Sequence, residues 1–399
     1  MNLTEKTEDF GLFGGRPLFP EARTTGQLAN RDPNAFFAMM SGAFDRRRLS
    51  NQGPLVAELE TQLKVLHGTK HAIAVANACF ALILSMRALA KPGAHRVVMP
   101  SFTFRGLPHL VRWAGLEPKY CDVDPVHHTL APEALARAMG PDVALVLAVD
   151  TASALCDIDA LEAITRSAGV SLLLDSVYGI GGSYGEDPVG SRGDAAVFSL
   201  HATKLLNGFE GGYLTTNDDN LAATMLRQRN FGIGESALIE DWGLNAKLNE
   251  IHAAQALANL PHINCVMSDN RARFEAYQDA FRDISWVNFA DYSRSPGNYS
   301  LVLLQVGPTS PYSRDDLIRL LRAENALVRS YYSPPLHWVD QQTPRVTNLP
   351  ATDKISREFI QMPVGDHTSI EDIWRLGDFF RRLDRQRMSI TTRMMNVLS

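Results

Sequence analysis

The chain has 399 residues, 45% of them hydrophobic and 21% charged, with a formal net charge of -5. That length exceeds the size at which a single core stops growing, so two domains are expected, and the absence of a basic excess argues against a nucleic-acid partner. No run of about 18 apolar residues occurs and the first nine residues hold no apolar stretch, so neither a membrane-spanning helix nor an export leader is expected. Cys79, Cys121, Cys156 and Cys265 are scattered without CxxC spacing. The expectation is therefore no disulfide framework, no metal site and a reducing, cytoplasmic location.

From about residue 55 to 215, short apolar runs alternate with amphipathic stretches, the pattern of a mainly parallel sheet covered by helices. The reading in chain order is helix 55–66, strand 72–75, helix 80–89, strand 96–99, helix 105–113, strand 118–121, helix 132–139, strand 143–149, helix 158–166 and strand 171–174. Strands 195–199 and 211–215 follow, making about seven. Beyond residue 245 the texture changes to a long helical pattern, 249–281, broken at Pro261, then a strand at 300–305 and helices at 314–324 and 370–383. The expected organisation is an α/β fold with an N-terminal arm (1–30), a large domain (31–262), a smaller α+β domain (263–385) and a tail (386–399), the ends read as arms or disordered.

In open α/β sheets ligands gather at the carboxyl ends of the strands, so residues just after each strand are the candidates. After 72–75 comes Asn77-Ala78-Cys79-Phe80, a turn of small residues whose free backbone N–H groups suit a phosphate; Asn77 reads equally as a plain helix cap. After 96–99 comes Pro100-Ser101-Phe102-Thr103-Phe104, aromatic rings that also suit core packing. After 171–174 comes Asp175, then Ser176-Val177-Tyr178; a carboxylate at a buried strand end needs a positive partner or several donors, and otherwise reads as a turn aspartate. The fourth position is Lys204, in Phe198-Ser199-Leu200-His201-Ala202-Thr203-Lys204 ahead of Glu210-Gly211-Gly212. A lysine placed there is a candidate Schiff-base nucleophile, because desolvation or a cationic neighbour lowers its pKa, although an isolated lysine is ordinarily a solvated surface charge. An aspartate, a lysine, a phosphate-ready turn and an aromatic ring are together what pyridoxal 5'-phosphate (PLP) requires of a protein.

The run from Gly53 to about Pro363 resembles the DegT/DnrJ/EryC1/StrS family of sugar aminotransferases, fold-type I PLP enzymes. The resemblance is carried by Gly53-Pro54, Asn77-Ala78-Cys79, Pro100 to Phe104, Cys156-Asp157-Ile158-Asp159, Asp175, the 198–204 segment, Glu210-Gly211-Gly212, Arg229-Asn230-Phe231-Gly232 and Gly243-Leu244-Asn245. It implies that Lys204 carries the cofactor as a Schiff base and shuttles the proton, that Asp175 pairs with the pyridinium nitrogen, and that Phe104 stacks on the ring. It further implies that Ala78, Cys79 and Ser199 contact the phosphate, that Tyr178 sits beside the 3-hydroxyl, and that Asn245 reaches the phosphate region of a partner subunit, hence a homodimer. Arg329, Tyr331 and His337 match a segment near the active-site mouth and are candidate substrate contacts.

The chain departs from the family pattern at Cys79, where a threonine is usual, at 150–155, and at Ser176-Val177-Tyr178. The implied activity is transfer of an amino group from an amino acid, by resemblance glutamate, to a keto sugar, in the branch acting on dTDP-linked keto-6-deoxy sugars. Alternatives are an aminotransferase for another small keto substrate such as a cyclitol, a PLP-dependent lyase or dehydratase on the same fold, and a non-enzymatic binding protein on a retained scaffold. Product mass separates the first three, and loss of Lys204 or Asp175 would have favoured the last.

Overall fold

The computed structural model describes residues 7–234, 236–344 and 348–398. Nine strands precede residue 217: β1 (His71–Val75), β2 (Arg96–Pro100), β3 (Glu117–Cys121), β4 (Val143–Val149), β5 (Ser171–Asp175), a small hairpin of β6 (Ser183–Tyr184) and β7 (Asp187–Pro188), β8 (Ala195–Ser199) and β9 (Gly212–Thr216). Seven of them form one sheet in the order β1-β9-β8-β5-β4-β2-β3. Only β9 runs against the others.

Both faces of this sheet are covered, as a parallel sheet requires. All seven residues of β4 are buried. Alternation then sends neighbours to opposite cores: Val98, Val146 and Leu172 lie in one cluster with Leu59 of the helix Pro54–His67, while Val97, Leu145 and Leu173 lie in the other with Leu84 of the helix Ala78–Leu89. Because six strands point the same way, the ends of β1, β2, β4, β5 and β8 all reach one edge of the sheet.

The long helical pattern breaks where Pro261 lacks an N–H to donate: helix Glu250–Asn259 gives way to a short 3-10 turn, Leu260–His262, before helix Ile263–Ala280 resumes. The first turns of that last helix, Ile263 and Val266, join the large core. Its later residues, Phe274, Tyr277 and Ala280, join a second core built on a four-stranded antiparallel sheet. That sheet comprises β10 (Val287–Phe289), β11 (Val302–Val306), β12 (Arg329–Ser330) and β13 (Phe359–Met362) in the order β10-β11-β13-β12, covered by helices Arg314–Ala323 and Ile370–Arg385.

Both chain ends differ from the expectation of arms or disorder. Phe10 and Phe19 are fully buried in the second core, Phe10 packing on Phe379 at 5.6 Å, and the Glu324 carboxylate accepts from the N–H groups of Gly11 and Leu18 at 2.7 Å each. At the other end a helix spans Arg387–Leu398 and buries Ile390 and Met394. Aromatic and aliphatic anchors spaced among polar residues hold these segments down, a pattern too sparse to register as periodicity. Residues 1–6 of the expected arm and Ser399 of the expected tail lie outside the described residues.

Candidate active site

Register places the first components. Gly212 opens β9 directly between Val75 of β1 and Ser199 of β8. The backbone approach there is close: a Cβ at 212 would fall 2.3 Å from the Ala78 nitrogen. Gly212 thus lets the 77–79 turn and the end of β8 share one corner. The Asn77 side chain caps the following helix by accepting from Phe80 N–H at 2.9 Å. The N–H groups of Ala78 and Cys79, in the first turn near Ser199, have no intrahelical acceptor, the arrangement that suits an anion. Burial, followed by the negative charges of Asp175 and Glu210, pushes the Cys79 thiol up, so it stays protonated.

On the neighbouring strand, Asp175 ends β5 in register with Val197 of β8. It is 3% exposed, and its carboxylate accepts one long hydrogen bond, from Val177 N–H at 3.4 Å. Burial pushes it up to about 6, partly countered by the Lys204 ammonium and the Val177 N–H. Lys204 sits in a turn closed by its own N–H to His201 O at 2.8 Å, and its Nζ lies 4.0 Å above the Tyr178 ring. Lysine, aspartate and tyrosine therefore face one space. A buried carboxylate with so little hydrogen bonding is an incomplete pair, and a cation brought to it from that space would complete it.

Phe104 is 54% exposed, its ring folded over Gly106 beyond the end of β2. Tyr331 and Tyr332 close the small-domain side, their rings 4.0 Å apart and both packed edge-on against Phe102. Burial pushes both phenols well above their ordinary value; Tyr178 adds to this in each case, and Asp175 adds to it at Tyr332. Tyr331 is buried and its hydroxyl has no hydrogen-bond partner among the described residues. Asn245 is exposed, on a segment tied to the end of β1 by Ala76 N–H donating to Ala246 O at 2.7 Å. Arg329 is exposed at the start of β12, paired with Gln361.

His337 is placed differently from an open substrate contact. It is 7% exposed, with Nδ1 2.7 Å from Ser101 Oγ and Nε2 3.0 Å from Asp353 Oδ1. Both ring nitrogens are engaged in tying the segment after β2 to helix Pro350–Ile355.

The departures at 150–155 and at 176, separate in the sequence, form one hydrogen-bonded unit. Asp150 is fully buried and accepts from Ser176 Oγ at 2.6 Å, Tyr184 Oη at 2.7 Å and Cys156 N–H at 2.9 Å, while its own N–H donates to Asp175 O at 3.0 Å. Asp150, Ser176 and Tyr184 thus brace the loop that leaves Asp175. Sequence reasoning had no signal for this grouping, because its members are 26 and 34 positions apart.

Comparison with known proteins identifies the family. Residues 31–381 match the DegT/DnrJ/EryC1/StrS aminotransferase family. The chain is 26% identical over 300 residues to a dTDP-4-amino-4,6-dideoxy-D-glucose transaminase of Shigella dysenteriae, covering 75% of this chain and 81% of that one. It is 25% identical over 336 residues to the Escherichia coli protein of the same name, covering 82% and 90%. Among solved structures, DesI in the presence of its TDP-sugar product superposes with a TM-score of 0.92 at 33% identity, over 98% of this chain and all of that one. With a family match that runs from just before helix Pro33–Arg46 into helix Ile370–Arg385, and with the lysine and aspartate on the same sheet edge, the chain belongs to the DegT/DnrJ/EryC1/StrS aminotransferase family.

Proposed function

We propose that this aminotransferase uses PLP to move an amino group from an amino acid, glutamate in the first instance, onto the keto carbon of a dTDP-linked keto-6-deoxy sugar. The observation that carries the reading is Asp175: a buried carboxylate with one 3.4 Å hydrogen bond, on the edge shared by Lys204 and the first-turn N–H groups of Ala78 and Cys79. PLP has the matching parts, namely a ring nitrogen that takes up a proton, a phosphate, and a carbonyl that condenses with amines and supplies an electron sink.

In this reading Lys204 would hold the cofactor covalently through its amine and, when that amine is free, would give or take the proton at the substrate carbon. Asp175 would pair with the ring nitrogen and favour its protonated form. Ala78 and Cys79 N–H with the Ser199 hydroxyl would hold the phosphate, and Phe104 and Tyr178 would supply a ring and a phenol to contact the cofactor. Arg329 lines the approach for substrate, and Tyr331 and His337, both buried, support that wall from behind. The names of the Shigella and Escherichia relatives and the TDP-sugar product of DesI support the substrate class. The presence of Lys204 disfavours the dehydratase alternative.

We further propose a homodimer in which Asn245 completes the partner's phosphate site. Supporting this, Phe37, Phe44, Leu49, Phe231, Leu238 and Ile239 are all exposed. They come from helix Pro33–Arg46, the following loop and the 229–249 region, the loop being tied to the residue after that region by Glu250 N–H to Leu49 O at 3.0 Å. An apolar surface of this kind marks an interface. The four unpaired cysteines fit a reducing cytoplasm, and among the described residues no helix is long and apolar enough to cross a membrane.

The test is to load purified protein with PLP, add glutamate and dTDP-4-keto-6-deoxyglucose, and weigh the sugar nucleotide. Replacement of the carbonyl oxygen by an amine is expected. A product lighter by one water points to the dehydratase alternative, and no amine with any amino donor refutes the proposal.

A further inference from the structure

Four amide and hydroxyl side chains outside the site, Gln27, Asn270, Asn298 and Ser300, are between 0 and 4% exposed although no two of them are neighbours in sequence. Burying polar groups at such density is costly unless every donor is used. Here each amide nitrogen donates, those of Asn270 and Asn298 twice, and only the Ser300 hydroxyl of the four is without a partner among the described residues. Asn298 Nδ2 donates to Tyr178 O at 2.8 Å and to Ile180 O at 2.9 Å, and its Oδ1 accepts from Ser300 N–H at 3.0 Å. This fixes the amide orientation, since the reverse would set its oxygen against two carbonyls. Asn270 Nδ2 donates to Gln27 Oε1 at 2.8 Å and Asn298 O at 3.2 Å, and Gln27 Nε2 donates to Ser300 O at 2.6 Å.

The two ends of this frame are the two halves of the site. Asn298 holds the carbonyl of Tyr178 itself, three residues past Asp175. Gln27 N–H donates to Thr203 O at 3.2 Å, one residue before Lys204. A second, independent feature shows that the Tyr178 loop is pressed onto the same segment: a Cβ at Gly182 would lie 2.6 Å from Pro296 Cβ, and one at Gly181, whose φ is +81°, would lie 2.6 Å from Met267 Sδ. Glycine at these positions permits a contact that any side chain would hold apart.

We propose that Asn298, acting through Gln27 and Asn270, is the positioning residue that sets the spacing between Lys204 and the Asp175–Tyr178 loop, and so governs how tightly the site holds its cofactor. The frame joins the entry to the small domain (Ser300, ahead of β11), the helix shared by both cores (Asn270), the N-terminal segment (Gln27) and both strand-end loops. Its product is the 4.0 Å contact between Lys204 Nζ and the Tyr178 ring. The inference rests on the functional reading above, and the experiment separates the two.

Wild-type protein, Asn298→Ala, Gln27→Ala and a control, Tyr312→Phe, are each titrated with PLP, and the pH midpoint of the bound cofactor's visible absorbance is recorded. Tyr312 donates a buried hydrogen bond to Leu383 O at 2.9 Å within the small domain, so its loss lowers stability without touching the frame. Asn298→Ala is expected to raise the PLP dissociation constant about tenfold, the equivalent of one to two buried hydrogen bonds, and to displace the absorbance midpoint. Gln27→Ala, which leaves the Tyr178 and Ile180 bonds in place, shifts both in the same direction by less and serves alone if Asn298→Ala does not fold. Wild-type affinity and midpoint in both variants, or changes no larger than those of Tyr312→Phe at equal loss of melting temperature, overturn the proposal while leaving the function standing. A wild-type protein that binds no PLP through Lys204 refutes the function and this inference with it.

Discussion

Asp175→Asn is predicted to make the cofactor-free protein more stable and the cofactor-loaded protein less so. The folded carboxyl titrates near 6 against an ordinary 3.8, because burial disfavours its charged form. Between about pH 4 and pH 6 the folded chain therefore retains a proton that the unfolded chain has released, so stability falls as pH rises through that window and stays low above it. The gap corresponds to about 3 kcal/mol at about 1.4 kcal/mol per pH unit. Asparagine removes the charge but leaves a buried amide with unmade bonds, costing about 1 kcal/mol at any pH, which leaves a net gain of about 2 kcal/mol at pH 8 and a net loss of under about 1 kcal/mol at pH 4. The assay is urea unfolding of wild type and variant, stripped of cofactor, at both pH values. Adding PLP should reverse the order at pH 8, since only the aspartate pairs with a protonated ring nitrogen. A variant less stable than wild type by the same amount at pH 4 and pH 8, or stabilised by PLP as much as wild type is, would refute the reasoning.

Lys204→Ala should abolish the lysine-linked cofactor absorbance and lower amination by roughly 10²- to 10⁴-fold or more, read by single-turnover mixing with glutamate. Cys79→Thr replaces a weak thiol donor by a hydroxyl at the proposed phosphate site and should tighten PLP binding about fivefold, near 1 kcal/mol; equilibrium dialysis showing unchanged or weaker binding would count against a phosphate there. If the proposed homodimer forms through this surface, Ile239→Lys, at a side chain 81% exposed, should give a folded monomer in sedimentation velocity, with activity lost along with the Asn245 contribution proposed for the partner site. A variant that stays dimeric places the interface elsewhere.

Much of the large domain was legible because its strands are short, apolar on both faces and separated by helices of opposite character. The predicted strands at 143–149 and 195–199 coincide with β4 and β8, and Pro261 interrupts the helices where a missing N–H demands it. The hairpin β6–β7 and the strands β10, β12 and β13 were not read, because strands of two to four residues carry too little alternation to stand out. Among candidate site residues, Lys204, Asp175, Tyr178 and the 77–79 turn converge on one sheet edge. His337 looked like a mouth residue by motif yet is engaged on both nitrogens, since a motif reports adjacency in the chain and not which neighbours a ring will meet.

What the sequence determined by itself is therefore the chemistry at each strand end: a lysine, an aspartate and a turn of small residues, each following an apolar run whose length and composition require a buried parallel strand. Strand ends of a parallel sheet must share an edge, so that much of the site follows from periodicity. What only the tertiary structure decided is the spacing and support of those groups. The register that sets Gly212 between Val75 and Ser199, the Asp150–Ser176–Tyr184 brace and the frame from Gln27 to Asn298 join residues up to 273 positions apart. Hydrogen bonds at that separation leave no periodic trace in the chain, because their partners are chosen by packing of whole elements and not by local propensity.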